Sequence, residues 1–210
     1  MHISKNGPAQ VEAAIKISRP DVVAVELCVQ RYAALASGQK PSLLQLASSP
    51  FYTLLYLAQQ TLGAILGAKP GAEMIAAISV AKQHKIPLLL ADVEVSKTLS
   101  CIKSAPLKEK LSLLLPSKGK VSLNFADLGA ITDEKNLVPL LGFFKNQLPM
   151  TYACVIDGRN AHMFAAVASS KASRVLLVTG AGHAPGIKML IAKHNIGARE
   201  QITYKTLKPA

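Results

Sequence analysis

Four aliphatic residues, Val175-Leu176-Leu177-Val178, run into Thr179-Gly180-Ala181-Gly182-His183, and Pro185 then opens a segment of helical spacing. Strand, tight loop and helix in that order point to a parallel sheet with helices laid on it, because proline suits the first turn of a helix and glycine lets backbone turn sharply. In such sheets the loop at the carboxyl end of a strand is where ligands bind. His183 therefore stands at the mouth of a candidate site. An ordinary β–α connection, with the histidine bonded to neighbouring backbone, would carry the same pattern, and the rest of the chain has to choose between the two.

Two further apolar runs, Asp21-Val22-Val23-Ala24-Val25-Glu26-Leu27 and Ile86-Pro87-Leu88-Leu89-Leu90-Ala91-Asp92, read as buried strands. Each has a carboxylate at its carboxyl end, Glu26 and Asp92. Helical spacing precedes both: Val11, Ala14 and Ile15 before the stop at Arg19-Pro20, and Ala72 to Lys82 before the second run. The expected fold is α/β, a central, largely parallel or mixed sheet flanked by helices, with residues 1–210 as one domain. Glu26, buried at a strand end, needs a partner, since an unpaired buried charge costs several kcal/mol. It is either paired with an arginine, Arg31 being about a turn and a half onward, or bound to a metal. Glu73 falls in a first helical turn, where the helix dipole alone favours a carboxylate.

Residues 41–48 and 50–67 carry helical patterns, as do 94–115 with a break at Pro106, and Leu137 to Leu148. Met150 to Ser170 is helical too, with Asp157, Arg159, Asn160 and His162 in its middle, so one face of that helix lines a site. Gln201 to Lys205 reads as a last strand at the sheet edge.

Half the residues are hydrophobic and 17% charged, enough for a large core, while aromatics are 5% with no tryptophan. That core is aliphatic, and stacking on nucleic-acid bases is a poor expectation. The net charge of +12 is spread over scattered lysines; Lys103, Lys108, Lys110, Lys118 and Lys120 come closest together, without neighbouring aromatics, as a solvated face would. Three cysteines, Cys28, Cys101 and Cys154, lack CxxC spacing and argue against a disulfide framework or structural zinc. The first residues lack a signal-peptide layout, and the longest apolar stretch, Tyr52 to Ala68, is interrupted by Gln59 and Gln60. A cytoplasmic protein without a membrane span is expected.

Pro20-Asp21-Val22-Val23-Ala24-Val25-Glu26-Leu27-Cys28 with Arg31-Tyr32, then Lys69-Pro70-Gly71-Ala72-Glu73-Met74, then Gly180-Ala181-Gly182-His183, resemble in order and spacing the TraB/PrgY/GumN family of the wider Tiki and EreA/ChaN-like superfamily. The resemblance implies an EreA/ChaN-like α/β fold and a metal-dependent peptidase like the Tiki enzymes, which carry two Gly-x-x-His motifs. Gly180 to His183 matches the second; of the first only the histidine, His2, remains, so the given chain is expected to be short of an N-terminal strand. By family pattern His2, Glu26 and His183 would hold a divalent transition metal (manganese, cobalt or zinc), with Glu26, Arg31, Glu73 and Arg159 in catalytic or supporting roles. Peptides or proteins are the implied substrates, and a homodimer is a possible assembly. The chain departs from the family at Asp92-Val93-Glu94, where Asp-Arg-Asp is usual, and at Gly158-Arg159-Asn160, where a glutamate usually precedes the arginine. The alternative is a non-catalytic peptide-binding or regulatory protein of the same fold, of the kind associated with pheromone shutdown.

Overall fold

A computed structural model of the chain describes residues 7–37, 72–109 and 134–194. Strands β1 (Val22–Val25), β2 (Leu88–Leu90) and β3 (Val175–Val178) form a parallel sheet in the order β2-β1-β3. The register sets Val25 beside Leu90 on one side and Val178 on the other, so the three strands end flush. Backbone bonding continues past those ends: Glu26 N–H donates to the Val178 carbonyl at 3.1 Å, Ala91 N–H to Val25 at 3.0 Å and Asp92 N–H to Leu27 at 3.2 Å. Both strand-ending acids are thus anchored to the sheet through their own main chain.

Eight α-helical segments accompany the sheet among the described residues: α1 (Gly7–Ser18), α2 (Val29–Ser37), α3 (Ala72–Gln83), α4 (Val95–Lys103), α5 (Glu134–Gln147), α6 (Pro149–Tyr152), α7 (Gly158–Ala168) and α8 (Ala184–Lys193). Five residues of π-helix, Ala153–Asp157, join α6 to α7. The segments at 41–48, 50–67 and 201–205, with Lys110, Lys118 and Lys120, lie outside the described residues.

Side-chain alternation along the strands divides the core. Val23, Val25 and Leu27 pack with Val11 and Ile15 of α1 and Met74, Ala77, Val80 and Ala81 of α3. Ala24 and Ala91 face the other way, onto Met163 of α7 and Ile187 of α8. A period of two puts Glu26 on the Ala24 face, with α7 and α8. The helix bearing Glu73 covers the opposite face.

α1 ends where Arg19 adopts φ 44° and donates its N–H to the Ile15 carbonyl at 2.9 Å, before Pro20. Lys85 and Lys171 take the same left-handed conformation, φ 55° each, beyond α3 and α7. Glycine would sit there without penalty; the positive side chains recover part of the cost from the adjacent helix ends.

The cysteines correct the expectation from spacing. Cys101 of α4 and Cys154 of the π turn are joined by a disulfide, their Cα atoms 5.7 Å apart, and Cys28 is free and buried. A separation of 53 residues gives no hint of this pairing; the packing of α4 against the π turn creates it. Among the described residues no helix is long and apolar enough to cross a membrane.

Candidate functional site

Three loops meet at the flush carboxyl edge. The chain leaves β1 for β2 on one side and later returns to β3 on the other, so β1 and β3 flank the point where the connections diverge, the usual place for a ligand in an open parallel sheet. Glu26 follows β1, Asp92 follows β2, and Thr179 to His183 follow β3. α7 supplies Arg159 and Asn160 from the same side.

Arg159 is the hub. Its Nε donates to Asp92 Oδ1 at 2.9 Å and its Nη2 to Asp92 Oδ2 at 2.7 Å, a two-pronged pairing, while Nη2 also reaches Glu26 Oε1 at 2.5 Å. Arg31 Nη1 adds a second cation on Asp92 Oδ2 at 2.7 Å, and the Val93 N–H donates to Asp92 Oδ1 at 2.8 Å. Asp92 has no exposed side-chain surface, so two guanidinium groups hold a fully buried carboxylate. Burial alone would lower the Arg159 pKa, but its bonds to Asp92 and the charge of Glu26 raise it. Arg31, expected beside Glu26, pairs with Asp92 instead, and Arg159 takes the place at Glu26.

Glu26 is saturated. Its Oε2 accepts from Thr179 Oγ1 at 2.8 Å and from the Gly180 N–H at 2.6 Å, and its Oε1 lies 3.2 Å from His183 Nε2 as well as against Arg159. Burial pushes this carboxyl up, yet the His183 contact and charge, the Arg159 charge and the Gly180 amide together hold it well below the usual carboxylate range.

His183 is buried at the N-cap of α8, and its Nδ1 lies 2.7 Å from Asn160 Oδ1. An amide oxygen only accepts, so Nδ1 carries a hydrogen and donates it. In a neutral imidazole Nε2 then has a lone pair. With a proton on Nε2 as well, the ring is an imidazolium that donates to Glu26 Oε1 at 3.2 Å, an ordinary buried ion pair and the arrangement in which His183 lowers the Glu26 carboxyl. The separation also matches two ligands each about 2.1 Å from one ion. A metal shared by Glu26 and His183 would have to take the place of that proton, with Asn160 in the orienting role that a ligating histidine ordinarily gives its second ring nitrogen.

Glu73 does not join them. Among the described residues no group of three or more His, Cys, Asp or Glu is placed to hold an ion, and the Glu73 Oε2 is buried there without a hydrogen-bond partner. The reason is the division of the core: α3 lies across the sheet from α7 and α8. Burial raises the Glu73 pKa. His2 lies outside the described residues.

Asn160 appears in the sequence only as one polar residue among several in an apolar helix, and Gly186 draws no notice there. A Cβ on Gly186 would come within 2.1 Å of Asn160 Nδ2. Gly186 is glycine because Asn160 occupies its side-chain space. Its position three residues after His183 is the one local signal for it. Gly186→Ala is expected to swing Asn160 away from His183 and to weaken any metal affinity of the His183–Glu26 pair about 10–100-fold, as loss of an orienting partner does. Calorimetric metal titration checks this, with denaturant unfolding alongside, since alanine's better helix propensity returns at most about 1 kcal/mol.

A cavity of about 400 Å³ lies at the other end of the sheet, lined by Ile15, Lys16, Pro20, His84 and Ile86 among others. Its charges are largely spent locally, Arg174 on Asp21 and Lys16 on Glu12, as expected of a solvated rim.

No family model matches the chain. It is 29% identical over 205 residues to an uncharacterized protein of Methanocaldococcus jannaschii, an alignment covering 91% of this chain and 52% of that protein. The chain spans about half the length of the curated relative it matches.

Proposed function

We propose that the chain is a metal-dependent peptidase of the TraB/PrgY/GumN type on an EreA/ChaN-like fold, acting on peptides. The observation that carries this reading is the His183–Glu26 pair, 3.2 Å apart and close enough to share one metal ion in place of a proton. A divalent transition metal held there would lower the pKa of a bound water toward about 7 and so supply a nucleophile. His2, the remaining nominated ligand, would complete a three-ligand set of the kind catalytic sites use.

The protein's own groups have separate tasks. Asn160 fixes the ring of His183, and Thr179 and Gly180 fix the carboxylate of Glu26. Arg159 ties that carboxylate to Asp92 and thereby to a second strand end. Arg31 gives one nitrogen to Asp92, and its side chain keeps about a third of its surface in solvent, so its remaining donors are available to the carbonyl oxygen of a substrate amide as charge develops on it.

One observation favours the non-catalytic, peptide-binding alternative: four groups already crowd the two oxygens of Glu26, and no third donor joins the pair among the described residues. Titration with manganese, cobalt and zinc separates the readings. The peptidase requires saturable metal binding by the wild type, its loss in His183→Ala, and metal-stimulated cleavage of a peptide library. Binding that is absent from the wild type, or indifferent to His183→Ala, would move the assignment to the regulatory protein. A homodimer, compatible with either, is read by light scattering in the same samples.

A further inference from the structure

The stretch from Pro149 to Ala168 would be one α-helix but for the π turn at Ala153–Asp157, where the Gly158 N–H reaches back five residues to the Ala153 carbonyl. A π turn holds one residue more than an α turn. Were it to relax to α geometry by drawing in the next residue, everything beyond would rotate by about 100° about the helix axis. Arg159 and Asn160 are the second and third residues beyond, and both would leave their partners. The network at Asp92, Glu26 and His183 therefore depends on a turn that is rare on its own.

Arg159 Nη1 donates to the Val155 carbonyl inside the turn at 3.4 Å, and Glu109 accepts from the Met150 and Thr151 N–H groups and the Thr151 hydroxyl just before it. Two further interactions tie the turn to other elements. One is the Lys145–Asp157 pair at 3.2 Å, about half exposed on both sides and so worth little. The other is covalent: Cys154, buried inside the π turn, is bonded to Cys101 on α4. α4 begins three residues after Asp92, and Cys154 lies five before Arg159, so the bond spans the two elements that carry the central ion pair.

We propose that the Cys101–Cys154 disulfide is a positioning element of the site, holding the π turn in the phase that delivers Arg159 to Asp92 and Glu26 and Asn160 to His183. A dithiol reductant opens it by closing to its own disulfide, passing two electrons and two protons to leave two thiols. The site then loses register while the sheet stays formed. This concerns the same residues as the proposed peptidase, but it is tested on the network rather than on turnover, so either can fail without the other.

The test reads the Arg159 Nε–H, which donates to the buried Asp92. Solvent exchange of that side-chain proton is followed by nitrogen-15 NMR in the oxidised protein, in the dithiol-treated protein, and in Cys101→Ser and Cys154→Ser. The backbone amides of β1 serve as an internal standard for global opening. Exchange at Arg159 is expected to rise about tenfold or more while the β1 amides keep their protection, the signature of a local event. Unchanged Arg159 exchange on reduction overturns the proposal. So does a rise that the β1 amides share, which would make the bond a global staple. Should neither serine variant fold, the dithiol-treated wild type supplies the same comparison, and its unfolding would count as the shared rise.

Discussion

Arg159→Met should lower the stability of the fold by about 3–5 kcal/mol, the cost of removing one partner from a buried ion pair. Arg159 is the cation shared by Glu26 and Asp92, and its side chain is 12% exposed. Methionine fills comparable space but leaves Glu26 with no guanidinium and Asp92 with Arg31 alone. For a chain of this size the midpoint of thermal unfolding should fall by roughly 6–20 °C. The penalty also has a pH signature. The Glu26 carboxyl is depressed in the folded protein, so its contribution is fully present above the unfolded value of about 4.3 and is lost as pH falls toward the folded one. The gap between wild type and variant should therefore be widest at neutral pH and narrow in acid below about pH 4.3. Calorimetric melts from pH 3 to 7 decide it; a gap that is constant across that range would mean that Arg159 acts through packing rather than charge.

Glu26→Gln should be nearly as damaging despite its matching shape. Donors surround the carboxylate on both oxygens, and glutamine offers one oxygen and one amino group. If the oxygen meets Thr179 and Gly180, the amino group faces Arg159 and His183, which then lose their acceptor. An unsatisfied buried donor costs about 1–3 kcal/mol, more when it is charged. Metal binding at His183 should fall with it, because the proposed second ligand is gone. Acid sensitivity should move the opposite way: without the depressed carboxyl, the variant's stability should slope less steeply with pH below about 4.3. An equally steep slope would show that Glu26 is not the group behind the acid loss.

The sheet was legible in the chain because each strand is a short aliphatic run closed by a polar residue, and the same pattern placed Glu26, Asp92 and His183 at one edge. The side of the sheet was not legible: alternation puts Glu26 with Ala24, but that α3 packs on Val23 and Val25, which separates Glu73 from the site, depends on which face the helix folds back onto. Which arginine serves which acid was not legible either, since Arg31 and Arg159 differ in distance along the chain and not in chemistry. The Cys101–Cys154 bond and the π turn were hidden for a related reason. Both depend on how two helices pack, and neither leaves a periodic mark on the residues. Asn160 and Gly186 interlock through shape, a property that hydrophobic patterning does not encode.

The contacts that define the site join residues far apart along the chain: Glu26 lies 133 residues from Arg159 and 154 from Gly180. Loop closure over such distances comes late in folding, because its entropy must be met before any contact rewards it. Until α7 and the loop after β3 dock, the carboxylates of Glu26 and Asp92 remain in water, where they are stable without partners. A network that forms after the sheet would have little part in the folding transition state and would act as a latch on the finished fold. Changes to it would be felt chiefly in how fast the native protein opens, and hardly in how fast it forms.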